Sequence, residues 1–138
     1  MILVDTCVIL DLVHDDTEWA EWSAVQLSRY EGRLAANPMI YAELCYAAES
    51  SAEVDGLLDD LSLEFLEFPR QALFLAAKAF RAYKQRGGVR TAPLPDFFIG
   101  AHARAINGAL LTRDVARYRT YFPDLAVIAP ETRPPDTP

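Results

Sequence analysis

The first twelve residues, MILVDTCVILDL, constrain the fold more than any other stretch. Ile2, Leu3 and Val4 form a short apolar run rich in β-branched side chains. With no polar residue alternating among them, they read as a strand buried on both faces, as in a parallel sheet. The run stops at Asp5. Thr6 follows, and Val8, Ile9 and Leu10 lead into a helix. Open parallel sheets place their ligands beyond the carboxyl ends of their strands, so Asp5 stands where a functional acid belongs. It also has an ordinary reading, as a helix cap.

The rest of the chain alternates between helix and strand. Residues 14–17 are polar and offer a cap to a helix over 18–30, with Trp19, Trp22 and Leu27 as apolar contacts and Gly32 as its stop. Residues 33–36 are a weak strand. Asn37-Pro38 places a capping residue before proline at the first helical position, which predicts a helix from 38 to 49. Ser50 and Glu53 have capping-box spacing for a helix to residue 61. Residues 63–68, LEFLEF, alternate and read as a strand. Residues 70–86 are the cleanest amphipathic helix, with Leu73, Ala76, Ala77, Phe80 and Tyr83 on one face and Arg70, Lys78 and Arg81 on another. After a loop with Pro93 and Pro95, residues 96–107 form a helix, 109–112 a short strand and 125–128 the last strand. This order implies a parallel sheet covered on both faces. One domain spans residues 1–129. The tail, 130–138, holds four of the nine prolines and is expected to be disordered.

Totals narrow the classes. A length of 138 residues suits one domain with a real core. The net charge of -7 argues against a general basic coat for nucleic acid. It leaves open a carboxylate site loaded with cations, whose local sign differs from the total. Two cysteines, Cys7 and Cys45, are too few for a disulfide framework and fit a reducing compartment. No apolar run approaches the ~18 residues of a membrane helix, and the N-terminus lacks signal-peptide features. A soluble, cytoplasmic protein is expected.

Four acids share one edge in this reading. Glu43 lies on the flank of an apolar stripe formed by Ile40, Leu44 and Ala47. A carboxylate facing the core is costly unless paired or bound to a cation. Asp96 opens a helix whose Ile99 and Ala103 lie on its own face, so it points toward the sheet. Asp114 follows the 109–112 strand and sits at a strand end like Asp5. Each alone is an ordinary cap, turn or flanking residue. Together they put four carboxylates near one sheet edge, where like charges repel unless cations or protons intervene. Hard oxygen ligands of this kind select Mg²⁺ or Mn²⁺ over zinc.

VDTCVILDL at the start, the Asn-Pro-x-x-Tyr-Ala-Glu segment ending at Glu43, Leu-Pro-Asp-Phe-Phe-Ile-Gly-Ala at Asp96 and Leu-Leu-Thr-Arg-Asp at Asp114 occur in one order over residues 1–128. In these segments the chain resembles PIN-domain proteins, and among them the VapC-type ribonuclease toxins of type II toxin–antitoxin pairs. The resemblance implies a PIN-like three-layer α/β/α sandwich around a parallel sheet of about five strands. It implies metal-dependent endonucleolytic cleavage of RNA (tRNA or rRNA being candidate targets), leaving a 5′-phosphate. Asp5, Glu43, Asp96 and Asp114 become the catalytic, metal-binding acids, with Thr6 and Thr112 supporting them. A VapB-like antitoxin and a homodimer are also implied. Cys7 departs from the Ser or Asn common at its position, and a thiol is a poorer hydrogen-bond donor.

RNA must still meet an acidic chain. The candidate contacts are Arg81, Lys84, Arg86 and Arg90 before the Asp96 loop, and Arg113, Arg117 and Arg119 beside Asp114. All could equally be a solvated face. Tyr118 and Tyr121 could stack on bases or pack in the core. Asp11, Asp15 and Asp16 read as surface or cap acids, with Asp11 able to support the site from behind. His14 and His102 are poor ligand candidates. A dehalogenase-type phosphatase needs a second Asp at position 7, which is Cys. A receiver domain needs an acid ending the third strand and a late Lys, and neither is present. The remaining alternative is a PIN-fold protein that has lost catalysis and binds a protein or RNA partner.

Overall fold

β1, Ile2–Val4, is the middle strand of a five-stranded sheet ordered β3-β2-β1-β4-β5, with β2 at Leu34–Ala36, β3 at Glu64–Phe65, β4 at Ala109–Leu111 and β5 at Ala126–Ile128. This computed structural model describes residues 1–130. Every strand pairing is parallel, with Leu3 opposite Ala35 on one side and Leu110 on the other. Leu3 and Val4 are completely buried, as a strand covered on both faces requires. Truncating Leu3 to Ala would cost about 2–5 kcal/mol.

Among the described residues, seven helices cover the sheet: α1 (Thr6–Val13), α2 (Ala20–Arg29), α3 (Pro38–Cys45), α4 (Ser51–Asp60), α5 (Arg70–Gln85), α6 (Pro95–Ala105) and α7 (Ala116–Tyr121). From β1 the chain winds outward to β2 and β3, then crosses back to β4 and on to β5. Right-handed crossovers in opposite directions put α1–α4 over one face and α5–α7 over the other. The direction reverses between β1 and β4, and that switch point is where such sheets hold ligands. Among the described residues, no helix is long and apolar enough to cross a membrane.

Several elements differ from the sequence reading. The strand expected over 63–68 shrinks to Glu64–Phe65, because it lies at an edge and pairs only with β2. α3 ends at Cys45, leaving Ala47 exposed beyond it, so the stripe is Ile40 and Leu44 alone. On α5 the buried residues are Ala72, Ala76 and Ala79, with Leu75, Phe80 and Tyr83 packed beside them. Leu73 and Ala77 face solvent instead. Small alanines let α5 approach α6 closely, so the inward face keeps Ala76, Phe80 and Tyr83 from the predicted one and is rotated toward Ala72 and Ala79. α7, Ala116–Tyr121, is a helix the sequence pattern does not announce. The tail expected to be disordered lies, Pro130 apart, outside the described residues.

α6 and α7 meet at Gly100. A Cβ there would stand 2.6 Å from a ring carbon of Phe122 and 3.0 Å from Tyr118. Gly100→Ala is therefore expected to destabilise the protein by about 1–3 kcal/mol through overpacking, measured by urea unfolding. An unchanged midpoint would contradict this packing.

Candidate functional site

Asp5 ends β1 and begins α1. Its Oδ1 accepts the Thr6 N–H at 2.9 Å, so the acid is also the cap of α1. β4 runs beside β1, and this register brings the Thr112 hydroxyl to Asp5 Oδ2 at 2.8 Å. The same Thr112 oxygen accepts the Asp114 N–H at 3.1 Å, which shapes the turn after β4. Thr112 gives its proton to Asp5, so the Cys7 thiol, 3.7 Å away, is the donor of that pair.

Glu43 reaches the edge from α3. Asn37 caps that helix, accepting the Ile40 N–H at 2.9 Å. Glu43 then lies one turn in, where the Thr6 hydroxyl donates to its Oε1 at 2.8 Å. The buried Asn37 amide also donates to His102 Nδ1 at 3.1 Å, tying the start of α3 to α6. His102 is a core residue against the Phe68 ring, and its Nε2 has no hydrogen-bond partner among the described residues.

Asp96 sits in the first turn of α6. Tyr118, from α7, is buried with its hydroxyl 3.1 Å from Asp5 Oδ2 and 3.4 Å from Asp96 Oδ1. One hydroxyl proton serves one acid at a time, and the shorter contact is to Asp5. Tyr118, expected to stack on bases or pack in the core, is buried, and its bridging of two acids is the part of the site the sequence reading missed. Its spacing, four residues after Asp114, could have revealed it once α7 was recognised. Tyr118→Phe keeps the ring and removes only this bridge. It is expected to lower metal affinity or activity by about 10- to 100-fold, and an unchanged Mn²⁺ titration would remove Tyr118 from the site.

The carboxylates are held uneasily. Burial, and then the charge of Asp96, push Asp5 up to about 6, against the pull of its Thr112, Tyr118 and Thr6 bonds. Burial raises Glu43, opposed by Thr6 and reinforced by Asp96. Burial also raises Asp96, opposed by Arg117 and reinforced by Asp114. Among the described residues Arg117 is the one cation close by, 3.8 Å from Asp96 and over the rings of Tyr83 and Phe97. Asp114 is exposed at the outer side of the edge, in a hollow shared with Asp96, Tyr83 and Arg117. Among the described residues no three His, Cys, Asp or Glu side chains are already drawn together as a metal cage.

The sequence-predicted cations divide. Arg113, expected to face RNA, gives two donors to Asp11 at 3.0 Å each and lies over Trp19. Asp11, read first as a surface or cap acid, is buried in that pair and also accepts from Ser23. This pair holds the turn after β4 against α1 and α2. Arg86 lies over the Tyr121 ring. Arg81, Lys84 and Arg90 are exposed, outside the acid cluster, as is Arg119.

A PIN domain family model matches residues 2–123. No curated protein matches the chain. Among solved structures, VapBC2 from Rickettsia felis, bound to a promoter DNA fragment, matches with a TM-score of 0.70 and 22% identity, over 95% of this chain and 100% of that one. A toxin–antitoxin complex from Klebsiella pneumoniae matches with a TM-score of 0.69 and 20% identity, over 95% and 98%. VapBC-1 from nontypeable Haemophilus influenzae matches with a TM-score of 0.66 and 21% identity, over 94% and 98%.

Proposed function

The chain belongs to the PIN domain family, and from that premise we propose that it is a Mg²⁺- or Mn²⁺-dependent endoribonuclease, the toxin of a toxin–antitoxin pair. The observation that carries this reading is the acid edge itself. Asp5, Glu43 and Asp96 are pushed toward neutrality by burial, Asp5 and Glu43 further by the charge of Asp96 and Asp96 by that of Asp114, with Arg117 the one offsetting cation among the described residues. A divalent cation would supply the missing charge. The donor set fits: all are hard carboxylate oxygens, and Mg²⁺ commonly uses one or two carboxylates and keeps several waters, so a closed cage is not required. Asp5 and Asp96 would hold the ion, with Glu43 and Asp114 on either side.

When bound, such an ion neutralises charge on a phosphodiester and makes water nucleophilic at neutral pH. The chain's own residues then have positioning roles. Thr112 and Tyr118 orient Asp5, and Thr6 orients Glu43. Arg117, beside Asp96 at the mouth of the site, is placed to meet a phosphate. Water would be the nucleophile, and with the 3′ oxygen as the leaving group, as the family resemblance implies, hydrolysis leaves a 5′-phosphate and a 3′-hydroxyl.

The antitoxin would be a small protein whose basic segment, an Arg foremost, enters the acidic edge. The solved structures of similar fold, named as VapBC or toxin–antitoxin complexes, support such a partner, and a homodimer is proposed with it. The test is incubation of partner-free protein with total RNA and tRNA in Mg²⁺, Mn²⁺ or EDTA. Discrete fragments with 5′-phosphates, absent in EDTA, are the expected result. A folded, metal-binding protein that cuts no RNA would favour a partner-binding protein without catalysis.

A further inference from the structure

We propose that the groove between α5, α6 and α7 is the track along which single-stranded RNA runs into the acid edge. This deepens the nuclease reading and rests on it. The groove has a volume of about 600 Å³ and shares a wall, Thr120 and Tyr121, with the hollow that holds Asp96, Asp114 and Arg117. A strand leaving the acids past Arg117 therefore meets this groove next.

Its charge is opposite to that of the chain. Acids outnumber bases twenty to thirteen overall, yet the groove is lined by Lys78, Arg86 and Arg104 against one acid, Asp124. Arg104 is bound to Asp124 at 2.9 Å. Lys78 and Arg86 have no acidic partner among the described residues; each lies over a ring, Phe74 and Tyr121 respectively, at 5.2 Å. Two uncompensated cations beside a half-exposed tyrosine match a backbone of phosphates with unstacked bases. Aromatic walls stack single-stranded bases, whereas a duplex keeps its bases paired and out of reach.

The test is fluorescence anisotropy of a labelled single-stranded RNA of mixed sequence, in EDTA so that nothing is cut, across a range of salt. Each phosphate contact on a single strand adds about 0.7 to the salt slope, which is about fivefold in affinity at 0.1 M salt. The Lys78→Gln/Arg86→Gln variant is expected to bind about 25-fold more weakly, with a slope lower by about 1.4. Lys78→Gln alone should show about half the slope change, and Arg29→Gln, on the other face of the sheet, should match wild type. Both groove positions are exposed, and melting curves confirm folding.

The wild-type protein is also assayed for cleavage with Mn²⁺. If it cuts RNA while the double variant binds as tightly as wild type with the same slope, the track is overturned and the nuclease stands. That outcome would leave an acidic protein segment as the groove's occupant. If the wild-type protein neither binds nor cuts RNA, both readings fall.

Discussion

Asp5→Asn is expected to lower RNA cleavage by about a thousandfold and, in the same protein, to raise the melting temperature of the metal-free form at pH 7.5. The first effect follows from removing the most enclosed acid of the edge. The second follows from its proton. Burial moves Asp5 from 3.8 to about 6. Through that window the folded chain still holds a proton that the unfolded chain has released, so stability falls as pH rises. Above pH 6 the loss is complete, at about 3 kcal/mol. Asparagine removes the charge and with it this loss.

Asparagine also gives up one acceptor, because a single amide oxygen cannot serve both the Thr6 N–H and the two hydroxyls. That costs about 1 kcal/mol at any pH. The variant should thus be more stable than wild type at pH 7.5, about level with it near pH 4.5 and less stable at pH 3. At roughly 3–5 °C per kcal/mol for a domain of this size, the crossover is readable in thermal melts with EDTA. Equal destabilisation at pH 7.5 and pH 4.5 would mean that Asp5 is ionised and well satisfied without a cation.

Millimolar Mn²⁺ is expected to raise the melting temperature by about 10 °C at pH 7.5, since a ligand at 100 times its Kd stabilises by about 2.7 kcal/mol. The shift should be smaller near pH 5, where a proton occupies Asp5 and must be displaced. Asp96→Asn should shrink it at both pH values, by removing one ligand and part of the repulsion on Asp5 and Glu43. A melting curve that ignores Mn²⁺ would contradict the site. A shift that survives Asp96→Asn intact would place the ion elsewhere.

These effects trace back to how the chain encodes the edge. β1 is legible because a strand buried on both faces leaves an unbroken apolar run, and Asp5 is legible as the residue that breaks it. Asn37-Pro38 marks the start of α3 because capping chemistry is local, and that start places Glu43. What failed to show was set by tertiary contact. The inward side of α5 is its alanine side, since closeness to α6 outweighs residue size. α7 is six residues long and carries a mixed sequence, so no periodicity announces it. With it went the Tyr118 bridge between two acids on other elements. Arg113 reads as a free cation until the fold brings Asp11 against it from 102 positions away.

The most direct measurement is a calorimetric titration of Mn²⁺ into the metal-free protein at pH 6 and pH 8, in buffers of differing ionisation enthalpy. Binding that releases protons at pH 6 and almost none at pH 8, with both binding and release reduced in Asp5→Asn, is the expected result, because Asp5, lifted to about 6, must shed its proton to become a ligand. Absence of binding at either pH, or binding with no proton release that Asp5→Asn leaves untouched, would contradict a metal site at this acid edge.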